Sequence, residues 1–434
     1  MDENKKFNLN LIRLVLMALF LRFLIMPFSF HGSDIFWINY FPFKFIEGKI
    51  FDPYLFINEN MLDFKGAYYP PGTFFITSFF QLLFKPFLPK LNEFYSIFTS
   101  WHFTWDGNTI HFADILIRHQ LFRTLFLFKM PYLICDFIIG IVLYQLLKKD
   151  KKKVFIALIV WALNPFVLQS IYALGQLDII VAMFIILSLF AVKLERPYLA
   201  VICLSFGAGI KATPLLLIPA ALIILGKTLR EKIKLGFISL MIFLVPFIPF
   251  FISSEFAVFK IVGYYNSRIL PWKRDIFIMA YFGLLFILYF LKKKNIDSFR
   301  ILMISFISIL LLFYVSYEVT LRFFVWITPL LIIVAVQDRI FWLYNILFFV
   351  TLFELRAAGN SQQWGLFAAL HPEFFSGLPI ADSYLNLLVN VKHIHHYMYI
   401  LFNITALTMI IHMVKFNFNL FKFHFPVLGR DEKS

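Results

Sequence analysis

Long apolar runs recur along almost the whole chain, and short polar breaks separate them. A helix needs about 20 consecutive apolar residues to cross the hydrocarbon core of a bilayer. The pattern therefore predicts an all-α integral membrane protein with about twelve transmembrane helices, in a single domain over residues 1–434. The predicted spans are Leu9–Met26, Leu121–Leu147, Val154–Tyr172, Ile179–Val192, two short helices within Tyr198–Leu225, Leu235–Ile252, Ile276–Leu291, Ile301–Ser316, Phe323–Val336, Phe341–Leu355 and Tyr397–Val414.

Basic residues collect at alternate ends of these runs, as in the cluster between Lys148 and Lys153. Because cytoplasmic loops are enriched in Lys and Arg, both termini are predicted to be cytoplasmic, with the first run as an uncleaved signal anchor. Residues 28–118 then form a large extracytoplasmic loop, and residues 357–396 form a second one. The proline-flanked apolar stretch Thr73–Leu88 is too short for an upright span, so it is predicted to be a re-entrant or interfacial helix.

The composition indicates that lipid is the main solvent of this protein. Of 434 residues, 61% are hydrophobic and 15% are charged, and the mean hydropathy is +0.80. These values exclude a soluble chain with a polar surface. The net charge of +15 is interpreted as cytoplasmic Lys and Arg near anionic lipid, so membrane lipid and not nucleic acid is the expected partner. Cys135 and Cys203 lie in apolar runs, and no disulfide framework is expected.

Several acidic residues lie near the predicted external ends of the runs, where a charge at membrane depth costs about 3 kcal/mol. Asp34 follows the first span, and Asp178 ends the sequence Gly-Gln-Leu-Asp. Each carboxylate has a structural alternative as a helix cap. Glu318 precedes Arg322 by four residues, so these two side chains are alternatively a helical ion pair.

Cations accompany these carboxylates on the same predicted side. Lys211 lies between two apolar runs, where it either extends to the lipid headgroups or binds an anion. Arg268, Lys273 and Arg274 cluster in one predicted external loop, against the usual cytoplasmic bias of basic residues. An external carboxylate facing several external cations suits a reaction on a phosphate-bearing lipid.

Seven elements follow one another along the chain: Asp34, Tyr69-Pro-Pro71, the stretch from Phe128-Lys-Met-Pro-Tyr132 to Asp136, Asn164-Pro165, Gly175-Gln-Leu-Asp178, Gly209-Ile-Lys211 with Pro214 and Pro219, and Tyr317-Glu-Val-Thr-Leu-Arg322 with Pro329. Their order resembles the GT-C superfamily of multi-spanning glycosyltransferases, which take sugar from a polyprenyl-phosphate carrier. The resemblance covers most of the chain and is to two branches, the dolichyl-phosphate-glucose transferases and the mannosyltransferases related to GPI assembly. The last element departs from the family's pattern, because Tyr317 stands where a histidine is usual and the basic residue is displaced to Arg322.

The resemblance implies an inverting enzyme that moves a hexose, mannose or glucose, from a polyprenyl-phosphate-linked donor at the extracytoplasmic face. The acceptor is a glycan, a glycolipid or a protein. Such a displacement needs a base for the incoming hydroxyl and cations for the departing phosphate, and one carboxylate suffices because the phosphate leaves unprotonated. Asp34 is the predicted base. The predicted donor-phosphate ligands are Lys211 and Arg322, then Arg268, Lys273 and Arg274, and the predicted substrate-binding residues are Tyr69, Gln176, Asp178 and Glu318.

Other classes of membrane protein share some of these features. A transporter or lipid-carrier flippase also has about twelve helices with buried charges, but it predicts two related halves, which the sequence does not show. An envelope polysaccharide ligase or polymerase uses a diphosphate-linked glycan, and the identity of the donor separates it from the transferase. A noncatalytic scaffold leaves the external basic cluster unexplained. His393, His395 and His396 with Asp382 match no standard metal-ligand spacing, so no metal or other cofactor is expected.

Overall fold

The protein is almost entirely helical in the parts that the computed structural model describes, which are residues 3–60, 69–88, 91, 118–250, 271–292, 297–317, 321–356, 363–387 and 389–419. Within these ranges seven helical segments are long and apolar enough to cross a membrane. The predicted all-α membrane fold is confirmed. The count of twelve spans and the side of the termini stay predictions. The seven segments are Glu3–Ile25, Gln120–Leu147, Lys151–Ala173, Leu229–Phe250, Trp272–Lys292, Ser298–Ser316 and Val391–Val414.

Each of the predicted spans overlaps an observed helix. The α-helices are α1 (Glu3–Ile25), α2 (Gly32–Ile46), α3 (Pro53–Asn60), α4 (Pro71–Phe84), α5 (Arg118–Leu147), α6 (Lys151–Ala162), α7 (Asp178–Lys193), α8 (Pro197–Ile210), α9 (Ile218–Leu225), α10 (Leu229–Leu244), α11 (Pro271–Lys292), α12 (Ser298–Ser316), α13 (Leu321–Phe324), α14 (Thr328–Gln337), α15 (Ile340–Arg356), α16 (Pro372–Gly377), α17 (Ala381–Leu385) and α18 (Val391–Asn419). Shorter elements are an α-turn at Pro165–Val167, a π-helical stretch at Leu168–Ala173, and 3-10 turns at Lys85–Phe87, Thr213–Leu217, Val245–Phe250 and Trp364–Phe367.

Local side-chain caps explain where several helices begin. The Asp150 and Asp297 carboxylates accept backbone N–H bonds at the starts of α6 and α12, and the Thr228 hydroxyl does so at the start of α10. The break predicted at Asn164-Pro165 is present. There the Asn164 carboxamide oxygen accepts from two N–H groups of the next turn, and the chain continues as a π-helical stretch.

The centre of the bundle is α12, whose side chains are nearly all buried. Outer helices instead expose large apolar side chains, for example Phe20 on α1 and Phe286 on α11, each about two thirds exposed. A soluble protein rarely exposes continuous apolar faces of this kind. The outward side of these helices is therefore suited to contact with lipid.

The first predicted loop contains α2, α3 and α4, which pack on the bundle. The stretch predicted to be a re-entrant or interfacial helix forms α4 and the 3-10 turn after it. Its inner face is polar in one place, where the Gln81 amide donates to the Asn39 carbonyl and side chain on α2 at 2.9 and 3.0 Å. Its outer face exposes Phe79. Protein contacts thus hold one side of this short helix.

Candidate functional site

Asp34 lies in the first turn of α2, in a segment held by two neighbouring parts of the chain. The Phe30 N–H donates to the Leu366 carbonyl at 2.9 Å, and the His31 N–H donates to the Leu174 carbonyl at 3.3 Å. The Leu174 carbonyl accepts the backbone N–H of the N-cap residue His31. The Asp34 side chain therefore does not accept that N–H, as it would in a capping box. The start of α2 is therefore fixed against the turn before α7 and against a segment of the second predicted loop.

Both oxygens of the Asp34 carboxylate have side-chain partners. Oδ2 lies 2.8 Å from Nδ1 of His31, and Nη1 of Arg322 donates to Oδ1 at 3.3 Å. The Asp34 side chain keeps 18% of its surface exposed. Burial raises the pKa of Asp34, but His31, Arg322 and Lys211 together lower it more, so the pKa lies below the ordinary value of 3.8. The carboxylate is thus ionised at neutral pH and still accessible.

Arg322 reaches Asp34 from a position 288 residues later in the sequence. It lies on the one-turn helix α13, which the Tyr314 hydroxyl anchors by donating to the Phe323 carbonyl at 2.6 Å. Tyr317, which replaces the family's usual histidine, is buried and stacks on Phe313 with 4.9 Å between ring centroids. The tyrosine therefore packs in the core beneath Arg322.

Lys211 and Asp178 form a buried ion pair. Nζ of Lys211 donates to both oxygens of Asp178 at 2.8 Å, and the two side chains are 3% and 0% exposed. Nε1 of Trp326 also donates to Asp178 at 2.7 Å. The Lys211 ammonium lies 5.3–5.8 Å from the ring centroids of Tyr69, Phe323 and Trp326. Lys211 is thus neutralised by Asp178 and enclosed by aromatic rings, and its assignment as a phosphate ligand stays a prediction.

A close approach between two backbones brings Tyr69 to Lys211. A Cβ atom on Gly72 would lie 2.5 Å from the Gly209 carbonyl oxygen, so this contact requires glycine. The Thr73 hydroxyl beside it donates to the Ile210 carbonyl at 2.8 Å. The Tyr-Pro-Pro-Gly element of the first loop therefore docks directly on the Lys211 hairpin.

A second glycine fits the turn before α7 against the Asp34 segment. Gly175 has a φ of +86°, and a Cβ there would lie 2.3 Å from Cδ1 of Ile35. The neighbouring Gln176 side chain is fully buried, and neither its amide nitrogen nor its amide oxygen has a hydrogen-bond partner among the described residues. Buried amides without partners are rare in folded proteins, so Gln176 is a candidate ligand-binding group.

These residues form one group of charges, which we call the outer cluster: His31, Asp34, Asp178, Lys211 and Arg322. Lys211 acts electrostatically on both Asp34 and Arg322. The two carboxylates balance the two cations when His31 is neutral. The cluster thus joins a partly exposed pair to a fully buried pair.

A second charged group lies inside the bundle, and we call it the inner cluster: Arg22, Asp136, Trp161 and Tyr172. Nε of Arg22 and the Tyr172 hydroxyl donate to Oδ2 of Asp136 at 2.5 Å, and Nε1 of Trp161 donates to Oδ1 at 2.6 Å. Nη1 of Arg22 donates to the Ala162 carbonyl at 2.9 Å. Every polar group of Asp136 is therefore satisfied by protein.

The model of glycosyltransferase family 87 matches residues 133–282, about a third of the chain. This family is of the GT-C type, so the match supports the resemblance inferred from the motifs. The match indicates a membrane glycosyltransferase. It includes Gln176, Asp178 and Lys211, whereas Asp34 and Arg322 lie outside the matched residues. No curated protein and no solved structure matches the chain.

The remaining predicted phosphate ligands of this glycosyltransferase lie apart from the outer cluster or outside the described residues. Lys273 on α11 donates to the Tyr399 hydroxyl on α18, and Arg274 pairs with Asp275 at 3.2 Å in an exposed position. Arg268 lies outside the described residues, as does the predicted substrate-binding residue Glu318. Lys273 and Arg274 have no contact with the outer cluster among the contacts described for them.

The histidines of the second predicted loop of the glycosyltransferase form no metal-ligand group in the described residues. Nε2 of His395 lies 3.9 Å from Oδ1 of Asp382, and no set of three His, Cys, Asp or Glu side chains is close enough to hold a metal ion in that part of the chain.

Sequence reasoning assigned no role to His31 or Trp326, although both contact the predicted carboxylates. The spacing of three residues between His31 and Asp34 at a helix start is a signal for the first contact, because side chains three apart meet on a helix. Nothing local in the sequence indicates that Trp326 reaches Asp178, which lies 148 residues earlier.

Proposed function

We propose that the protein is an inverting glycosyltransferase that moves a hexose, mannose or glucose, from a polyprenyl-phosphate-linked donor to an acceptor hydroxyl at the extracytoplasmic face. In this proposal Asp34 is the general base and Arg322 is the first ligand of the donor phosphate. The observation that carries it is the contact between Asp34 and Arg322, a carboxylate and a guanidinium that meet at 3.3 Å on a partly exposed surface.

The reaction requires one bond to form and one to break at the anomeric carbon. The acceptor oxygen forms the new glycosidic bond while its proton passes to Asp34. The bond from the anomeric carbon to the phosphate oxygen breaks, and its electron pair stays with the phosphate, whose charge increases. A guanidinium matches a phosphate with two parallel N–H groups, so Arg322 is suited to stabilise that charge. An incoming phosphate competes with Asp34 for Arg322 and thereby restores basicity to the carboxylate.

An apolar groove supports a lipid-linked donor. It is a narrow groove between α4, α5 and α7, and Tyr132 is part of its lining. The Tyr132 hydroxyl donates to the Gly175 carbonyl at 3.1 Å, in the turn that carries Gln176. An isoprenoid chain in this groove would bring its phosphate end toward the outer cluster. The apolar lining includes Ile76, Phe80, Phe84, Leu127, Phe128 and Leu177.

Gln176 supports recognition of a sugar. Its buried amide offers two donors and an acceptor that lack protein partners in the described residues, and sugar hydroxyls are both donors and acceptors. Asp178, which pairs with the buried Lys211, lies two residues after Gln176 in the sequence. In the proposal this pair fixes the site and adds a positive charge near the phosphate, while Tyr69 covers the Lys211 ammonium.

The test uses the purified protein in detergent with polyprenyl-phosphate-linked mannose and, separately, glucose, each labelled in the sugar, together with a membrane lipid extract as acceptor. We expect the wild type to transfer label from one donor, and Asp34→Asn to lose at least about 100-fold of that rate while still binding the donor. The matched control is Asp52→Asn in the same loop, because Asp52 accepts the N–H groups of Tyr54 and Leu55 and asparagine keeps that cap.

Three outcomes would contradict the proposal. Full transfer by Asp34→Asn would exclude this carboxylate as the base. Transfer only from a diphosphate-linked glycan would favour the ligase or polymerase class. Movement of the intact lipid-linked sugar across vesicles without transfer would favour a flippase.

A further inference from the structure

His31 occupies the N-cap position of α2 but makes no side-chain capping bond. His371 occupies the same position on α16, and there Nδ1 accepts the Phe374 N–H at 3.2 Å, as a capping side chain should. Nδ1 of His31 instead lies 2.8 Å from the Asp34 carboxylate. Two histidines in equivalent local positions thus use the same nitrogen in opposite ways.

We propose that His31 is a positioning residue for the Asp34 base and that it donates Nδ1–H to Oδ2 of that carboxylate. The inference rests on the proposed function, because it assigns a role in proton removal from the acceptor. It adds a residue that the motif resemblance does not include.

The distance determines which atom carries the proton. An ionised carboxylate has no hydrogen, and two acceptors without a hydrogen between them repel each other at 2.8 Å. Since Asp34 is ionised, the hydrogen belongs to Nδ1 of His31, and a neutral His31 is the Nδ1–H tautomer. His31 therefore holds Oδ2 while Arg322 holds Oδ1, which fixes the plane of the carboxylate and leaves its other lone pairs for the acceptor proton.

Neighbouring elements hold His31 and Asp34 in this relation. Arg322 on α13 and Lys211 after α8 act on Asp34, and Asp178 on α7 is paired with Lys211. From α5, Tyr132 bonds the Gly175 carbonyl, and the Lys129 ammonium bonds the carbonyls of Met26 and Ser29 just before His31. The segment that carries His31 is therefore fixed from several sides.

Two substitutions of His31 test the donated hydrogen bond. His31→Leu removes the donor, and its kcat should fall by at least about 10-fold with a donor KM within about 2-fold of the wild type. The side-chain NH₂ of asparagine takes nearly the position of the histidine Nδ1, so His31→Asn should recover most of that loss, to within about 3-fold of the wild-type kcat. His371→Asn is the matched control, and its kcat and KM should equal those of the wild type.

The kinetics are measured with the labelled polyprenyl-phosphate hexose, and thermal unfolding in detergent is recorded for each variant. An unchanged kcat in His31→Leu would overturn the inference. A folded His31→Asn that is as slow as His31→Leu would also overturn it, because the imidazole would then transfer the proton itself. If His31→Leu does not fold, His31→Ala removes the donor in its place and is judged by the same criterion. A wild type that consumes no polyprenyl-phosphate hexose overturns the proposed function, and this inference with it.

Discussion

The outer and the inner cluster each join an arginine to an aspartate that is distant in sequence, but they differ in how far the protein encloses the carboxylate. In the inner cluster, Asp136 accepts from Arg22, Trp161 and Tyr172, and its ion pair with Arg22 is 3% and 7% exposed. In the outer cluster, the Asp34 pair with Arg322 is longer by 0.8 Å, at 3.3 Å against 2.5 Å, and its side chains are 18% and 28% exposed. The inner carboxylate is enclosed, whereas the outer one is open to a reactant.

This difference separates a structural charge pair from a reactive one. A buried charge is tolerated only when hydrogen bonds satisfy it, and such a carboxylate has no capacity left for chemistry. A base must remain accessible to the proton that it accepts. The pair of Lys211 and Asp178 resembles the inner cluster in burial and the outer cluster in location. The predictions below test this division, from the largest expected effect to the smallest.

The largest effect is expected at the inner cluster. Asp136→Ala leaves the Arg22 guanidinium buried and also removes the acceptor of Trp161 and Tyr172. Breaking a buried pair in this way costs about 3–5 kcal/mol of unfolding free energy. Thermal and denaturant unfolding in detergent measure it, and the double variant Arg22→Met with Asp136→Leu should recover much of the loss. A single variant as stable as the wild type would show that the inner cluster is not a structural element.

The next largest effect is expected at Lys211, which is as buried as the inner cluster but belongs to the outer cluster. Lys211→Met leaves Asp178 with the Trp326 N–H as its remaining described donor, so we expect a loss near the lower end of the same range, about 3 kcal/mol. Adding Asp178→Asn should restore stability. Donor titration of this stable double variant then isolates the role of Lys211 as a cation. A donor KM equal to that of the wild type would remove Lys211 from the list of phosphate ligands.

A smaller effect is expected where the first loop docks on the Lys211 hairpin. Gly72→Ala places a Cβ 2.5 Å from the Gly209 carbonyl oxygen, and overpacking of this kind costs about 1–3 kcal/mol. Because the shift moves Tyr69 away from Lys211, transfer should fall together with stability. Gly283→Ala is the control, since a Cβ there meets nothing within 4 Å. Equal stability of the two variants would contradict the docking contact.

The smallest effect on free energy is expected at Arg322. Its exposed pair with Asp34 contributes little to stability, at most about 1 kcal/mol, so Arg322→Met should unfold nearly as the wild type does. Loss of a phosphate contact should nevertheless raise the donor KM by about 10-fold, which corresponds to about 1.4 kcal/mol. Arg274→Met provides the comparison, because Arg274 pairs with Asp275 on the surface. A larger KM increase in Arg274→Met than in Arg322→Met would transfer the phosphate assignment to the external basic group.

Acid titration adds a check on the open pair. The pKa of folded Asp34 lies below its ordinary value of 3.8, so the ionised carboxylate stabilises the fold above that value. This contribution to the free energy of unfolding is lost as the pH falls from the ordinary pKa of the carboxyl toward its pKa in the folded protein. The dependence should be absent from Asp34→Asn.

The helices themselves could be read from the sequence because their causes are local. Continuous apolar runs must satisfy their backbone groups within a helix when the solvent is lipid, and each predicted span overlaps a helix for that reason. The Asn164 break was also predictable, since proline cannot continue the hydrogen-bond ladder and asparagine caps the next turn. The motifs around Asp34, Asp178, Lys211 and Arg322 named every residue of the outer cluster except His31 for a similar reason: charges at membrane depth stand out in an apolar sequence.

The partners of those residues were decided by tertiary structure. The sequence predicted that Lys211 binds a phosphate. Only the packing of α7 beside α8 shows that Asp178 neutralises its charge. Arg322 meets Asp34 across 288 residues, and Nδ1 of His31 lies against the Asp34 carboxylate instead of capping the helix. Asp136 is a carboxylate in an apolar sequence, as Asp34 is, but Arg22, Trp161 and Tyr172 enclose it. Composition and periodicity place a charge on a helix, but whether it is enclosed or open depends on which helices pack around it, and that is a property of the whole bundle.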